Sequence, residues 1–507
     1  MSEATRTQPL TGEEYLQSLR DGREVHIDGE RVRDVTSHPA FRNAARSIAR
    51  LYDALHDPET RDLLTGEDRL GIRTHRFFMP SYSTEDLLAS REAIAHWSRL
   101  SYGYMGRTPD YKASFMASLG ADPAWWAPFE ESARRWYRAY AEQVLFLNHV
   151  LINPPIDRNK AVHEVEDVYV HAIAERDDGI VVSGAKMLAT GSALTHATFV
   201  AQNSAVQLEE GKAEDYALVF IAPMNTPGKK LICRNSYELS ARSPWDNPLS
   251  SRFDENDAVV IFDHAFIPWE NVLVYRDVRK ATAFYAQSGF MPRYTLQSGT
   301  RLAVKLDFLC GLLVRGLKAN GTYDFRGVQA KLGELVAWRN LVWALTSTLC
   351  HEPMPGPGGS VVPKLEYATL IRLFGSMAVP RARSIFAEIL GGAPLAIPSS
   401  GRDLQNPDLR PLIDRFYRGS VGDAHDRIKL YKLIWDAIGS EFGSRHEWYE
   451  INYGGNQEQM RLDMVHFADV RGLLAEFDAL VERCLSEYDL EGWRSDTWLD
   501  MSGDQVG

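Results

Sequence analysis

The chain has 507 residues, of which 45% are apolar and 24% charged, with a formal net charge of -12. That length exceeds one ordinary core and predicts two or three domains, and the composition is that of a globular protein rather than a disordered one. The acidic excess, with a pI near 5.7, excludes a nucleic-acid or anionic-membrane surface, which would need clustered Lys and Arg, and leaves a small molecule or another protein as partner. The opening MSEATRTQPLTGEEYLQ lacks a basic-then-apolar signal, and no run of about 18 apolar residues occurs, so a cytoplasmic protein without a membrane span is expected. Cys233, Cys310, Cys350 and Cys484 are too widely spaced for a metal ligand set and too few to staple the chain; they are expected to be reduced and inert, with no metal.

In chain order, residues 1–155 read as a helical domain. The segments FRNAARSIARLYDALHD, DLLASREAIAHWSRLSYGYM and ESARRWYRAYAEQVLFLNHVL repeat apolar residues at three and four. Residues 156–277 read as an antiparallel, β-barrel-like domain: alternation in DVYVHAIAER, a hairpin turn at Asp178-Gly179, then the short strands ATFVAQ, DYALVFIAPM, KLICR and DAVVIFDHAFI. Residues 278–507 read as a helical bundle. Leu302, Leu306, Leu309, Leu313 and Leu317 form one stripe and Val328, Leu332, Leu335, Val342 and Leu345 the next. EPMPGPGGSVVP is a loop, Pro380 should kink or end its helix, and DRIKLYKLIWDAIGSEF with VRGLLAEFDALVERCLSEY forms a last helical pair. The fold class is therefore α+β, with sheets between helical layers and no doubly wound nucleotide fold.

GxGxxG, GxxxxGK[ST], HExxH and GxSxG are absent, so any chemistry needs a spatial constellation or an organic cofactor. Two stretches are candidates. In GYMGRTPDYKASF, Thr108 and Pro109 read as N-cap and first residue of a helix, which puts Arg107, Tyr111 and free N–H groups near one spot suited to an anion. The same text also reads as a plain capped surface helix. In LNHVLINPPIDR, His149 falls near the end of an apolar helix, either as a hydrogen-bonded core residue or as a pocket base able to exchange a proton with a phenol.

These blocks, with VSGAKMLATGSALTH, PLSSRFDENDAVV, IPWENVLVYRD, FRGVQAKLGELVAWRN and IWDAIGSEFGSRHEWYEINYGG, resemble the oxygenase component of the 4-hydroxyphenylacetate 3-monooxygenase family in family order from about residue 9 to about 494. The resemblance implies an acyl-CoA-dehydrogenase-like fold, a homotetramer, and a two-component flavin monooxygenase. Reduced FAD would come by diffusion from a separate flavin reductase, with O2 as co-substrate and a catechol as product of ortho-hydroxylation. It further implies that Arg107, Tyr111 and His149 surround the substrate hydroxyl. His149, Pro155, Ile156, Asp157, Arg158, Thr190, Asn452, Tyr453, Gly454 and Gly455 would contact flavin, and Asn203 and Ser204 lie where relatives cover the substrate tail. The text at 201–217 departs from the family and carries Glu209, Glu210, Glu214 and Asp215. It reads either as a solvated acidic loop or as selection for an amine-bearing phenol, such as tyrosine or a carrier-bound derivative. An acyl-CoA dehydrogenase or dehydratase on the same fold is the alternative. The dehydratase would need iron–sulfur ligands that four scattered cysteines do not offer.

Overall fold

Apolar stripes at helical spacing fold as helices on either side of two sheets in the computed structural model, which describes residues 8–157, 159–165, 167–203 and 206–498. The chain divides into two compact units, one running to Tyr453 and one starting at Gly454. The expected α+β order of helices, strands and helices holds within the first unit. Among the described residues no helix is long and apolar enough to cross a membrane.

A six-stranded sheet runs in the spatial order Glu30–Val32, Glu24–Ile27, Lys229–Cys233, Ala258–Pro268, Gly179–Lys186, His171–Arg176, and a four-stranded sheet in the order Val272–Tyr275, Leu218–Pro223, Ala197–Val200, Leu147–Val150. The sheets are not purely antiparallel, because two strands from the helical N-terminal region join them in parallel. Glu24–Ile27 pairs with Lys229–Cys233, and Leu147–Val150 pairs with Ala197–Val200. The hairpin turn falls one residue earlier than expected, at Asp177 and Asp178, since Arg176 pairs with Gly179. Gly179 is in the strand, where an added Cβ would collide with the Ile267 carbonyl of its neighbour.

The helix expected to run through residue 151 stops at Gln143, because Val144 takes a left-handed conformation (φ +55°) that closes it. The apolar residues that follow enter the sheet. Pro380 neither ends nor divides helix Leu365–Leu390, and the Pro-rich loop holds a short hairpin, Pro353–Pro355 with Val361–Pro363. The predicted last pair is four helices: Ala424–Ile434, continued by a π turn, then Glu441–Asn452, and in the second unit Gln457–Val470 and Leu473–Leu485. The Leu302 to Leu317 stripe is buried as expected, on helix Phe290–Asn320.

Helix Pro109–Ala121 is wedged between this long helix and the four-stranded sheet, and the wedge positions the site. Phe115 stacks on Phe290 at 3.6 Å and meets Phe199 at 4.6 Å between ring centroids. A buried aromatic of this kind contributes about 3–5 kcal/mol. Away from the main core, Val162, Val165, Tyr169, Ala213 and Tyr216 form a small cluster of their own.

Candidate functional site

Pro109 opens its helix without losing a hydrogen bond, and Thr108 is the N-cap residue as expected. Its hydroxyl, however, caps nothing. It donates instead to Asp110 Oδ1 at 2.5 Å, an acceptor that Gln297 Nε2 shares at 3.2 Å, and a carboxylate is the stronger draw for a hydroxyl proton. Burial pushes the Asp110 carboxyl up to about 6 against the opposing pull of these donors.

Arg107 is clamped from three directions. Its backbone N–H donates to Glu255 Oε1 at 2.5 Å, and its guanidinium carbon lies 3.9 Å from the Tyr111 ring centroid and 5.1 Å from that of Tyr449. Burial alone would lower its pKa, but Tyr111, Tyr449 and Glu255 outweigh it and hold the guanidinium charged. The preceding glycine is what admits Tyr449: a Cβ on Gly106 would stand 2.6 Å from the tyrosine Cζ.

His149 is on a strand, not a helix, opposite Phe199 in the parallel pair. That pairing turns its ring toward helix Pro109–Ala121, where it stacks on Tyr111 with centroids 5.8 Å apart and 19° between planes. Desolvation, then the cations Lys112 and Arg107, holds the imidazole well below its usual value. It is neutral at neutral pH and one ring nitrogen is free to accept.

Arg107, Tyr111, His149 and Thr190, all expected at the site, line one narrow crevice together with Thr108, Lys112, Leu147, Asn148 and Leu188. No acidic side chain lines it among the described residues. Buried polar atoms there lack any protein partner: Arg107 Nη1, Lys112 Nζ and both polar atoms of the Asn148 amide. Such atoms are costly unless a ligand or water meets them. The crevice suits a small molecule with an anionic or polarisable oxygen.

One side of the crevice is braced by ion pairs. Thr190 Oγ1 donates to Asp257 Oδ1 at 2.5 Å, and Arg445 joins Asp257 (2.9 Å) to Glu255 (3.3 Å), the carboxylate that holds the Arg107 backbone. Arg234 adds pairs to Asp254 at 2.9 Å and Asp257 at 3.0 Å. Beneath lies a second buried network in which Glu450 accepts from both Arg301 and Lys305. At the mouth, Leu188 is in the left-handed region (φ +62°) and 55% exposed, beside Met187, which bridges to the exposed Ile152.

Other expected residues stand apart from the crevice lining. Pro155, Ile156 and Asp157 make an exposed bend after the strand, with Asp157 Oδ1 accepting from Asn159 N at 3.0 Å. The Asn203 carbonyl accepts from Val206 N at 2.9 Å. Asn452 donates back to the Trp448 carbonyl at 2.8 Å, and Tyr453 stacks on Tyr449 at 5.1 Å. Gly454 and Gly455 open the second unit, Gly455 with φ +102°. Arg158 and Ser204 lie outside the described residues. Acidic side chains of 201–217 make surface pairs, Glu209 locally with Lys212, and Glu210 and Asp215 with Arg279 and Arg276 across the surface. Exposed pairs of this kind contribute little and favour the solvated-loop reading.

Lys112, Asn148, Glu255 and Tyr449 were not foreseen. A lone Lys at the head of the apolar run ASFMASL, and an Asn next to His149 in LNHVL, were legible signals; Glu255 and Tyr449 come from segments joined to Arg107 only by folding.

Known proteins bear on the same arrangement. The family model described as 4-hydroxyphenylacetate 3-hydroxylase N terminal matches residues 11–274, and its C-terminal counterpart matches residues 281–482. The pyoverdin chromophore biosynthetic protein PvcC of Pseudomonas aeruginosa is 55% identical over 98% of this chain and 99% of its own length. The 4-hydroxyphenylacetate 3-monooxygenase oxygenase component of the same organism is 52% identical over 97% of this chain and 95% of its own. A crystal structure of such an oxygenase component complexed with FAD and 4-hydroxyphenylacetate superposes with a TM-score of 0.88 at 30% identity, covering 94% of this chain and 99% of that one. The chain is a member of the 4-hydroxyphenylacetate 3-hydroxylase family.

Proposed function

We propose that the protein is the oxygenase component of a two-component flavin-dependent monooxygenase. It would place one oxygen atom of O2 ortho to the hydroxyl of a 4-hydroxyphenyl compound and release a catechol. The observation that carries this reading is the convergence of a charged guanidinium (Arg107), a phenol (Tyr111) and a neutral imidazole (His149) on a crevice lined by no carboxylate.

Reduced FAD from a separate flavin reductase, when bound at this site, would supply the activated oxygen. The residues present fit such a group. Leu188 and Ile152 leave an apolar edge at the mouth for a flat ring, with Thr190 beside it, and Pro155 to Asp157, Asn452 and Tyr453 are assigned to the same cofactor on the strength of the resemblance. The chain's own residues prepare the substrate. His149 accepts the phenol proton at its free ring nitrogen, while Arg107 and Tyr111 donate to the oxygen as negative charge develops on it. The ring carbon ortho to that oxygen becomes the electron-rich position. Arg107 does this better than a lysine would, because its planar fork is held between two tyrosine faces.

The test combines the purified protein with a flavin reductase, NADH, FAD and a panel of phenols that includes 4-hydroxyphenylacetate. Catechol formation is expected, and its absence for every phenol refutes the reading. His149→Ala should cut hydroxylation by about 10²–10⁴-fold, with H2O2 replacing product and flavin binding little changed. Unchanged coupling would remove His149 from the mechanism.

A homotetramer in the cytoplasm completes the proposal. Its support is the set of apolar side chains exposed on the second unit, among them Leu462, Val465, Phe477 and Leu480. Light scattering on the purified protein reads the assembly directly.

A further inference from the structure

Lys112 is the most anomalous residue in the first turn of helix Pro109–Ala121. It is 2% exposed, its Nζ has no hydrogen-bond partner, and it lines the crevice with Arg107, Tyr111 and His149. The ammonium lies 4.0 Å from the Tyr111 ring centroid and 5.0 Å from that of Phe115, so aromatic faces are what surround it. Buried lysines ordinarily reach a carboxylate. In this protein Lys305 does, pairing with Glu450 at 2.7 Å, and Lys186 reaches Gln202 Oε1 at 2.8 Å. For Lys112 no such acceptor is within reach, and a methionine would fill the same volume without the cost of a buried amine.

We propose that Lys112 binds substrate: its ammonium pairs with the phenolate oxygen, sharing that charge with Arg107, and thereby makes the crevice select the ionised form of the phenol. The proposal rests on the phenol-hydroxylase reading and adds to it a residue and a preference for one protonation state. While the crevice holds no anion, burial and then Arg107 keep the amine well below the ordinary lysine value. An anion in the crevice opposes that shift, since it stabilises the charged amine. The titratable groups that share the crevice with Lys112 are Arg107 and Tyr111 from its own segment and His149 from the strand, with Tyr294 of the long helix packed on Tyr111 at 6.0 Å. Asp110 is engaged by Thr108 and Gln297 rather than by the amine. An anion must therefore come from outside the chain.

The experiment is a spectroscopic titration of the full chain, without flavin, using 4-nitrophenol as probe, because its ionised and un-ionised forms absorb differently. In the wild type the bound probe should ionise at a lower pH than the free one. In Lys112→Met the affinity for the phenolate should fall by about 10–100-fold, with the ionisation of the bound probe moving upward by about one to two pH units and affinity for the un-ionised phenol little changed. Lys112→Arg should retain most of the preference. The free Lys112→Met protein should melt no lower than wild type, because an unpaired amine has been removed. Should that variant fail to fold, Lys112→Gln provides the same comparison. A Met or Gln variant that keeps the wild-type phenolate preference overturns the proposal while the hydroxylase reading stands, as does a lowered melting temperature with the preference intact, which would mark Lys112 as structural. A wild-type chain that binds the probe in neither form overturns both.

Discussion

Replacing Gly106 by Ala tests whether Tyr449 holds Arg107 in place. Gly106 is absent from the left-handed positions, so a methyl group there costs nothing in backbone strain, and its whole effect is steric. The added Cβ would stand 2.6 Å from Tyr449 Cζ and 2.8 Å from Cε1, within the ring rather than at the end of a flexible side chain. Contact at ordinary van der Waals distance is about 3.5–4.0 Å, so the ring must retreat by roughly 1 Å. The retreat takes it off the Arg107 guanidinium, now 5.1 Å from its centroid. Overpacking of this kind costs about 1–3 kcal/mol. Tyr449→Ala alone should cost about 3–5 kcal/mol as a buried aromatic lost, but once the ring is gone the methyl at residue 106 has room. Denaturant unfolding of the wild type, both single variants and the double variant should therefore show a coupling of about 1–3 kcal/mol, the double variant losing less than the sum. In parallel, Gly106→Ala should divert oxygen from catechol to H2O2 more than it weakens flavin binding. Additive stability losses, or a Gly106→Ala enzyme with wild-type coupling of flavin oxidation to product, would refute the steric clamp.

The buried carboxylates make two further predictions, of opposite sign. Asp110 is raised to about 6, chiefly by burial, so the native state binds its proton more tightly than the unfolded chain does, and the penalty for ionising it grows as pH rises from about 4 to about 6. Across that window the stability of Asp110→Asn relative to wild type should improve by about 3 kcal/mol and then level off, which unfolding midpoints at several pH values can read; a flat difference would contradict it. Glu450 is held at about 2, since Arg301 and Lys305 outweigh its burial. Its stabilising contribution is present in full above about pH 4.5 and is lost as pH falls toward 2. Glu450→Gln, which leaves two buried cations uncompensated, should cost about 3–5 kcal/mol at neutral pH, and the gap to wild type should narrow below about pH 4.5.

Much of this was legible in the chain. The leucine stripe of the long helix, the Thr108-Pro109 helix start and the convergence of Arg107, Tyr111 and His149 could be read in advance, the first two from periodicity and local turn chemistry and the third with the family pattern. The helix assigned to His149 was an error with a physical cause. LFLNHVL is apolar on all sides, and a strand buried on both faces has the same look as the end of a buried helix until its partner is known. Thr108 misled in a similar way. A hydroxyl at an N-cap position usually accepts from the backbone, but here it donates instead to the carboxylate two residues on, itself raised in pKa by burial. Glu255 and Tyr449 were out of reach for another reason. Each acts on Arg107 across a separation of more than a hundred residues, and nothing local marks a carboxylate or a ring whose role exists only after long-range packing.

The small cluster of Val162, Val165, Tyr169, Ala213 and Tyr216 has a consequence for how the acidic segment around residue 210 tolerates change. Because Ala213 and Tyr216 sit in an apolar cluster of their own, while Leu208 also packs against the main core and Asp215 pairs with Arg276 at the end of strand Val272–Tyr275, the segment about residues 206–216 is tied both to its own anchor and to the sheet that presents His149. A replacement for this segment therefore has to keep both attachments if the strand that carries His149 is to stay where it is.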